Sequence, residues 1–346
     1  MRRDLLDLLL CPDCEQGDWH LEAVRTGKTR IIERGRLICG HCGARYTIDT
    51  GILDLLPRPD ESILRERAGW ARFLENASDE LEDSWILALP RIDEQVSRNP
   101  ESITHWGRQA DNFERLIGRL DLTGTERVLE LGAGRCWASA YLSRLGCQVI
   151  ALDVVRAKGA GGLETGDVYL DHGTPYFERV LASMEHIPFR SESFDLILSL
   201  ASIHHSASLR EVVAQCSRVL KPGGRLALSS EPCVRLFKEK RVRNQETEAG
   251  INEHVYDIVD YQRAFRGAGL VPGFHLPGAL VAMLDGDEEV PQAAGVKLML
   301  FGIAKRLWSS AMVRRALDSQ PANLLGLLFL EHGLTAVVRK PGETEG

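Results

Sequence analysis

The feature that most constrains the fold is a strand–turn–helix–strand pattern over residues 127–153. The run "RVLELG" is short and apolar, as in a buried strand that ends at a glycine turn, and "WASAYLSRLG" has the apolar spacing of a helix. "CQVIALD" is a second buried strand and ends at Asp153, 23 residues after Glu130. This succession predicts a doubly wound parallel sheet, which binds ligands at the carboxyl ends of its strands. Asp153 is then expected to accept hydrogen bonds from both hydroxyls of a ribose.

The glycine turn, Gly132-Ala133-Gly134, distinguishes between nucleotide ligands. A dinucleotide fingerprint has a third glycine that lets a pyrophosphate approach the helix N-terminus, but this chain has Trp137 there. Glu130 would also repel a pyrophosphate, whereas it suits a positively charged ligand. A nucleoside that carries a sulfonium meets both conditions, so the turn predicts S-adenosylmethionine as the cofactor.

The following segment, "ASMEHIPFRSESFDLILSLASIHHSASLREVVAQCSRVLKPGGRLALSSEP", resembles the core of class I methyltransferases of the broad small-molecule type. The matching features are Glu185 before "IPF", the "SFDLILS" strand, the histidine pair and "RVLKPGGRLAL". The resemblance covers about residues 105–275 and 328–340. It implies an α/β, Rossmann-like sheet of seven strands with helices on both faces. The cofactor-binding positions that we expect are Glu130, Gly132, Ala133, Gly134, Asp153, Val154, Ser183, Met184, Glu185, Leu200 and Ala201.

Two positions depart from that family's pattern. Cys136 stands where a third small residue is usual, and it is small enough for close helix packing. Ser183 stands near the position of an acid that commonly binds the adenine amino group, so we expect a weaker hydrogen bond from serine or a contact from the backbone of Met184.

Four cysteines near the N-terminus form two C-x-x-C pairs, "CPDC" and "CGHC", with 24 residues between them. Thiolates at this spacing suit a tetrahedral zinc site, and the alternatives are metal-free turns or a redox pair. With Cys11, Cys14, Cys39 and Cys42 as ligands no position is left open, so we expect a structural zinc that contributes folding energy.

The string "CGHCGARYTIDTGILDLLP" resembles the zinc-ribbon subunit that activates several tRNA and translation-factor methyltransferases. The match covers about residues 8–57. We therefore expect a zinc-ribbon domain over 1–58, a helical connector over 59–104, and a class I methyltransferase domain over 105–340. Trp70, Phe73 and Trp85 give the connector an apolar face, which we interpret as packing surface.

Four residues on the predicted acceptor side follow strand ends or lie in the loop beyond them. His204 and His205 follow the fourth strand, and Glu231 ends the fifth. His254 lies in the loop before the next helix, where this fold usually builds its acceptor pocket. Histidine is the usual base near neutral pH, so we expect catalytic residues among these four. The alternative is that one histidine caps a helix or packs in the core.

Residues 277–327 form a helical insertion between the sixth and seventh strands. Within it, residues 296–317 combine bulky apolar side chains with lysine and arginine and contain no acid. This insertion suits a lid, a contact in a homodimer, or a basic amphipathic element on a membrane surface. Its apolar run is too short to span a bilayer, and no cleavable leader is recognised, so we expect a cytoplasmic protein.

These features favour an S-adenosylmethionine-dependent methyltransferase that acts on a small-molecule or saccharide-type acceptor, most simply by O-methylation. One alternative is an RNA base methyltransferase, because the layout resembles zinc-ribbon ribosomal-RNA guanine methyltransferases. Residues 1–60, however, carry 9 Lys or Arg against 10 Asp or Glu, and the net charge of the chain is −7, so nucleic acid is not the favoured partner. A second alternative is a non-catalytic binding module, against which the intact Glu130, Gly132, Gly134 and Asp153 speak.

Overall fold

The computed structural model describes residues 1–26, 31–56, 58–75, 78–276, 278–285, 302, 305–310, 312–314, 323–324, 327–328 and 332–342. Its strands are β1 (Trp19–Thr26), β2 (Ile32–Cys39), β3 (Arg45–Asp49), β4 (Ile52–Asp54), β5 (Arg127–Leu131), β6 (Gln148–Asp153), β7 (Glu178–Leu181), β8 (Phe194–Leu200), β9 (Leu220–Val234), β10 (Tyr256–Asp257), β11 (Val271–His275) and β12 (His332–Arg339). Its α-helices are α1 (Glu61–Leu74), α2 (Asp83–Ala88), α3 (Pro100–Ile117), α4 (Trp137–Arg144), α5 (Gly166–Asp171), α6 (Leu209–Val219), α7 (Gln245–Ala249), α8 (Ile258–Gly267) and α9 (Gly278–Asp285). Short 3₁₀ helices cover Arg3–Asp7, Ser78–Leu81, Lys158–Ala160, Leu163–Thr165 and Ile203–His205.

Seven strands form the expected sheet, in the order β7-β6-β5-β8-β9-β12-β11. The first five of these are parallel, whereas β12 runs antiparallel to both β9 and β11. Apolar side chains of α6 and α8 cover one face, and those of α3, α4 and α5 cover the other. The predicted doubly wound fold is therefore confirmed. Its carboxyl-terminal edge is where β5, β6, β8 and β9 deliver the residues discussed below.

The N-terminal ribbon continues this sheet. β4 pairs in parallel with β7, with Leu53 opposite Val180, and β3, β2 and β1 follow as antiparallel strands. A buried apolar cluster includes Leu9 and Leu37 from the ribbon together with Ile150 from β6. The expected small zinc ribbon is thus present as the outer part of one sheet, with a core that it shares with the rest of the chain.

The helix α3 runs through the boundary that the sequence suggested at residue 104. Pro100 occupies its first turn, where a missing N–H is tolerated, and the Asn99 side chain accepts hydrogen bonds from Glu101 N and Ser102 N. Phe113 and Leu116 on α3 are buried against the sheet. The last part of the connector therefore forms one helix with the start of the expected methyltransferase domain.

Most of the basic stretch 296–317 lies outside the described residues, so its suggested roles as lid, dimer contact or membrane element stay predictions. Before it, α9 packs beside α3, and Asp285 at its end binds both Trp308 Nε1 and Arg314. Within the described part of the chain, no helix has the length and apolar character that crossing a membrane requires.

Candidate active site

The glycine turn after β5 requires glycine at its first position. Gly132 has φ of +63°, and a Cβ there would lie 2.4 Å from Ser202 Cβ. Gly134 also has a positive φ of +46°. The turn therefore packs directly on the loop after β8, so the two loops of the site are in contact.

Cys136 and Trp137 occupy the part of the turn where a dinucleotide fingerprint has its third glycine. Cys136 is buried and left-handed (φ +60°) immediately before α4. The Trp137 ring contacts Phe113 and Trp106 on α3, with ring centroids 4.7 and 6.4 Å apart. The small side chain at 136 allows close packing, and the indole is part of the core beneath α3.

Asp153, at the end of β6, lies against the glycine turn. Its carboxylate accepts hydrogen bonds from Gly134 N and Val155 N, both at 2.7 Å. Burial raises the pKa of Asp153, although the backbone donors act in the opposite direction. Arg67, on helix α1 of the connector, fixes the backbone after Asp153, because its Nε donates a hydrogen bond to Val154 O at 2.6 Å.

Glu130 lies on β5 and is buried. Burial raises its pKa to about 8, and Ser139 on α4 donates a hydrogen bond to its carboxyl group. The other expected cofactor positions lie at neighbouring strand ends. Ala133 N donates to Leu152 O, and Ala201, with φ of +48°, donates from its N–H to Ser229 O; Leu200, the last residue of β8, is half-buried.

The loop after β7 contains Ser183, Met184 and Glu185, all half-buried. Ser183 Oγ accepts a hydrogen bond from Glu185 N at 3.2 Å. The Glu185 carboxylate accepts from Ala207 N at 2.5 Å and Ser208 N at 3.2 Å. Glu185 thus ties this loop to the start of α6, and its expected cofactor contact stays a prediction.

His204 and Glu231 form a buried ion pair on the acceptor side. His204 Nδ1 lies 2.7 Å from Glu231 Oε2, and Glu231 Oε1 accepts from Ser202 N at 2.8 Å and from Ile203 N and Ser199 Oγ at 3.2 Å each. Burial alone would lower the pKa of His204, but its bonds with Glu231 and Glu253 outweigh it and raise the pKa to about 10. Glu231 is fully buried and supports the loop and His204.

His205 has the opposite character. Burial and the positive charge of His204 lower the pKa of His205 to about 4. Its Nδ1 lies 2.6 Å from the carbonyl oxygen of Asn252, which can only accept, so Nδ1 carries the proton. The Nε2 atom of the neutral ring therefore holds a lone pair.

Two further carboxyl groups lie between β9 and β10, Glu246 on α7 and Glu253 in the loop after α7. Glu253 Oε1 lies 3.4 Å from both His204 Nε2 and His205 Nδ1. Burial and the neighbouring Glu253 raise the pKa of Glu246 to about 7. His254, the fourth expected catalytic residue, is held to the backbone of His204, since its N–H and Nδ1 both lie 3.1 Å from His204 O.

The cluster of His204, His205 and Glu253 has ligand atoms within 4.8 Å of one another, a spacing that a metal ion could also use. The Nδ1 atoms of both rings already have partners, since His204 Nδ1 lies 2.7 Å from Glu231 Oε2 and His205 Nδ1 lies 2.6 Å from Asn252 O. We therefore interpret the cluster as a hydrogen-bonded network of acids and imidazoles.

Sequence reasoning missed the contribution of the connector helix α1. Glu66 accepts hydrogen bonds from Asn252 N at 2.7 Å and Trp70 Nε1 at 2.9 Å. The Trp70 ring meets His205 edge to face at 5.7 Å. The available signal is that Glu66 lies four residues before Trp70, on the same helical face, although the apolar residues of that face predict packing surface.

The four N-terminal cysteines converge as expected. Sγ atoms are 3.7 Å apart for Cys11 and Cys42 and 3.6 Å apart for Cys14 and Cys39, and all four lie within 4.8 Å. A tetrahedral zinc ion with bonds of about 2.3 Å separates its sulfurs by about 3.8 Å, so the donor set fits a structural zinc. The Tyr46 hydroxyl lies 3.2 Å from Cys11 Sγ and adds an outer partner.

The turn after β3 connects the ribbon with the cofactor side. Arg156, three residues after Asp153, binds Asp49 Oδ2 at 2.9 Å. Arg179 on β7 donates to Thr50 O at 3.1 Å and to Leu163 O at 3.2 Å. The ribbon therefore contacts the segment that begins at the expected ribose ligand.

Comparisons with known proteins agree with this architecture. A family model described as a methyltransferase domain matches residues 129–228, and one described as Trm112p-like protein matches residues 2–51. The chain is 34% identical over 113 residues to a glycine/sarcosine/dimethylglycine N-methyltransferase of Actinopolyspora halophila, covering 32% of this chain and 20% of that protein. It is 34% identical over 122 residues to a ubiquinone biosynthesis O-methyltransferase of Xanthomonas oryzae pv. oryzae, covering 34% and 48%.

Among solved structures, a complex of the Haloferax volcanii Trm112 methyltransferase activator with a methyltransferase has a TM-score of 0.48 at 15% identity, covering 80% of this chain and 99% of that chain. The chain spans only a fifth of the first curated relative and about half of the second. Both predicted resemblances are confirmed: the chain carries a methyltransferase domain and a Trm112p-like zinc-ribbon domain.

Proposed function

From a methyltransferase domain fused to a Trm112p-like ribbon, we propose an enzyme that transfers a methyl group from S-adenosylmethionine to a hydroxyl of a small, saccharide-type acceptor. The observation that carries this proposal is a neutral imidazole, His205, held with one free lone pair beside a buried acidic cluster. Its Nδ1 hydrogen bond to Asn252 O at 2.6 Å leaves Nε2 as the proton acceptor.

The cofactor would lie against the carboxyl ends of β5 and β6. S-adenosylmethionine supplies an electrophilic methyl group on a positively charged sulfur. The carboxylate of Asp153 would accept the ribose hydroxyls with the lone pairs left by Gly134 N and Val155 N. Glycine at position 132, with its positive φ, lets this turn pack directly against Ser202.

On the acceptor side, His205 would take the hydroxyl proton on Nε2 as the oxygen attacks. Glu231 has four donors around its buried carboxylate, so we infer that it positions His204. His204 would remain an imidazolium and help to keep His205 neutral. His254 and Glu246 would line the approach of the acceptor.

The charges of the cluster favour a neutral or cationic acceptor. Glu66, Glu231, Glu246 and Glu253 surround the two imidazoles, and in the described chain no lysine or arginine is ion-paired with any of these four. His204 is the one charged partner among these side chains, so burying a further anion beside the four carboxyl groups is costly. A polyol or amino-bearing hydroxyl compound suits this site better than a phosphate or carboxylate at the reacting end.

The test is a methyl-transfer screen with labelled S-adenosylmethionine against hydroxylated small molecules, matched amines, and purified ribosomal RNA and tRNA. We expect transfer to a small hydroxyl compound with little dependence on salt. His205→Gln should lower turnover by about 10²–10⁴-fold with cofactor affinity retained. His20→Gln, at an exposed position on β1, is the matched control and should keep full turnover.

Methylation of a defined RNA base, with affinity that falls steeply as salt rises, would instead establish the RNA alternative. Transfer confined to amines would replace O-methylation by N-methylation. Cofactor binding without transfer to any of these acceptor classes would favour the non-catalytic module.

A further inference from the structure

We propose that Glu66 of the connector helix is a positioning residue that, through the backbone of Asn252, fixes the tautomer of His205. This inference rests on the proposed function in one respect only, namely that His205 is the base. A helix from the N-terminal third of the chain thereby determines which nitrogen of His205, on the loop after β8, carries the proton.

The tautomer depends on the orientation of one carbonyl group. Asn252 O accepts the Nδ1–H of His205 at 2.6 Å. If this carbonyl turned away, Nδ1 would keep only the more distant oxygens of Glu253 at 3.4 Å and Glu66 at 3.5 Å, and the proton could move to Nε2. The lone pair would then lie on the nitrogen that faces Asn252, and Nε2 could no longer accept a proton from a substrate.

Glu66 holds Asn252 in the required place. Its Oε2 accepts Asn252 N at 2.7 Å, and its Oε1 accepts Trp70 Nε1 at 2.9 Å and lies 3.5 Å from His205 Nδ1. The Asn252 side chain is also fixed by α1, since Nδ2 donates to Ser62 Oγ at 3.2 Å. Both its peptide N–H and its amide are thus held by one helix.

The packing of α1 against this loop is close enough to require glycine. A Cβ at Gly69 would lie 2.8 Å from Ile251 N and 3.0 Å from Gly250 C. Glycine in a helix interior is unfavourable relative to alanine, so its presence here fits a need for direct backbone contact. The same contact brings Glu66, one turn earlier, to Asn252.

The burial of Glu66 also calls for a specific role. Only 6% of the residue is exposed, and its hydrogen-bond donors are the Asn252 peptide and the Trp70 indole. A buried acid without a cation is costly. Leucine or methionine would fill a purely structural position on this apolar face at lower cost.

The experiment reads the tautomer by long-range ¹⁵N–¹H spectroscopy of the full chain, labelled at histidine and saturated with S-adenosylhomocysteine. The His205 signals are assigned by their loss in His205→Gln. We expect the Nδ1–H pattern in the wild-type protein and a shift to the Nε2–H pattern in Glu66→Ala. Glu61→Ala, an exposed glutamate on the same helix, should leave the pattern unchanged.

Gly69→Ala provides a second, independent variant because it pushes the helix from the loop and leaves Glu66 intact. It should produce the same shift, and it decides the matter if Glu66→Ala fails to fold. A retained Nδ1–H pattern in a folded Glu66→Ala or Gly69→Ala protein would overturn the inference. The tautomer measurement needs no methyl acceptor, so it tests the role of Glu66 separately. The turnover of His205→Gln tests whether His205 is the base.

Discussion

His204 and His205 are neighbours in sequence, yet the structure gives them opposite charge states. His204 lies between Glu231 and Glu253, whereas His205 faces the positive ring of its neighbour at a centroid distance of 4.1 Å. The same buried environment therefore stabilises one imidazolium and one neutral ring. The two neighbours therefore have different roles, His204 as a fixed cation and His205 as a neutral ring with a free lone pair.

This difference predicts two separated titrations. His205, flanked by His204, Glu231, Glu253 and Glu66, should stay neutral until the pH falls towards 4, because burial and the charge of His204 lower its pKa. His204 should stay charged until the pH approaches 10. Histidine NMR titrations check both values. In His204→Gln the lost positive charge should move the His205 midpoint to higher pH, and a midpoint already near 6.5 in the wild type would contradict the assignment.

Asp153 carries a second prediction at this scale. Asp153→Ala should weaken S-adenosylmethionine binding by about 1.5–3 kcal/mol, the scale of a hydrogen bond to a charged group. Calorimetry measures this loss. Asp171→Ala, which changes an aspartate at the end of α5, serves as the control. Equal affinities for the wild type and Asp153→Ala would remove Asp153 from the cofactor site.

Between elements, the guanidinium of Arg179 adds a buried side-chain link across the junction of ribbon and sheet. It is 2% exposed and reaches Thr50 O, Leu163 O and Asp167 Oδ1, the last at 2.7 Å. One side chain thereby joins the turn after β3 to the segment between β6 and β7. This turn also receives Arg156, so ribbon and cofactor loop are fixed together.

Arg179→Met should therefore lower the free energy of unfolding by about 2–4 kcal/mol, because two backbone carbonyls lose a charged donor in the interior. Arg34→Met is the matched control. Its guanidinium pairs with Asp49 while 65% exposed, so the change should stay within about 0.5 kcal/mol. Urea denaturation compares the two variants, and equal losses would show that the junction is not held in this way.

Local patterns predicted the elements that depend on nearby residues. The β5–α4–β6 unit and the cysteine turns could be predicted from the sequence, because strand length, glycine placement and ligand spacing are properties of short segments. The parallel pairing of β4 with β7 was not, since β4 has only three residues and its partner lies more than a hundred residues further on. The role of Glu66 could not be predicted for a similar reason, because its hydrogen-bond partner Asn252 is 186 positions away in the sequence.

At the scale of the whole molecule, the ribbon and the methyltransferase sheet share one apolar interior. Cys11 and Tyr46 belong to the same buried cluster as Ile150 and Phe189. A ribbon that is part of a common core cannot unfold without exposing apolar surface on its neighbour. We therefore treat the described chain as one cooperative unit.

Removal of zinc should then destabilise the whole chain in a single transition. Zinc binding in small ribbons is worth about 10–16 kcal/mol, as much as the total stability of a typical domain at about 5–15 kcal/mol. Calorimetric scans with and without a chelator, and of Cys39→Ala beside the buried non-ligand Cys216→Ala, check this. Two resolved transitions, with the later one unchanged by the chelator, would show independent domains.

The pairing of β4 with β7 also sets an order of events during synthesis. The ribbon leaves the ribosome before β7, and this strand, which completes its open edge, follows about 120 residues later. At about 5–20 residues per second this interval is roughly 6–25 s. Throughout it, the unpaired N–H and C=O groups of β4 form an edge that other strands can join. Until β7 is made, zinc supplies folding energy that the ribbon cannot yet obtain from the shared core, so we expect zinc-starved cells to accumulate this protein as aggregate.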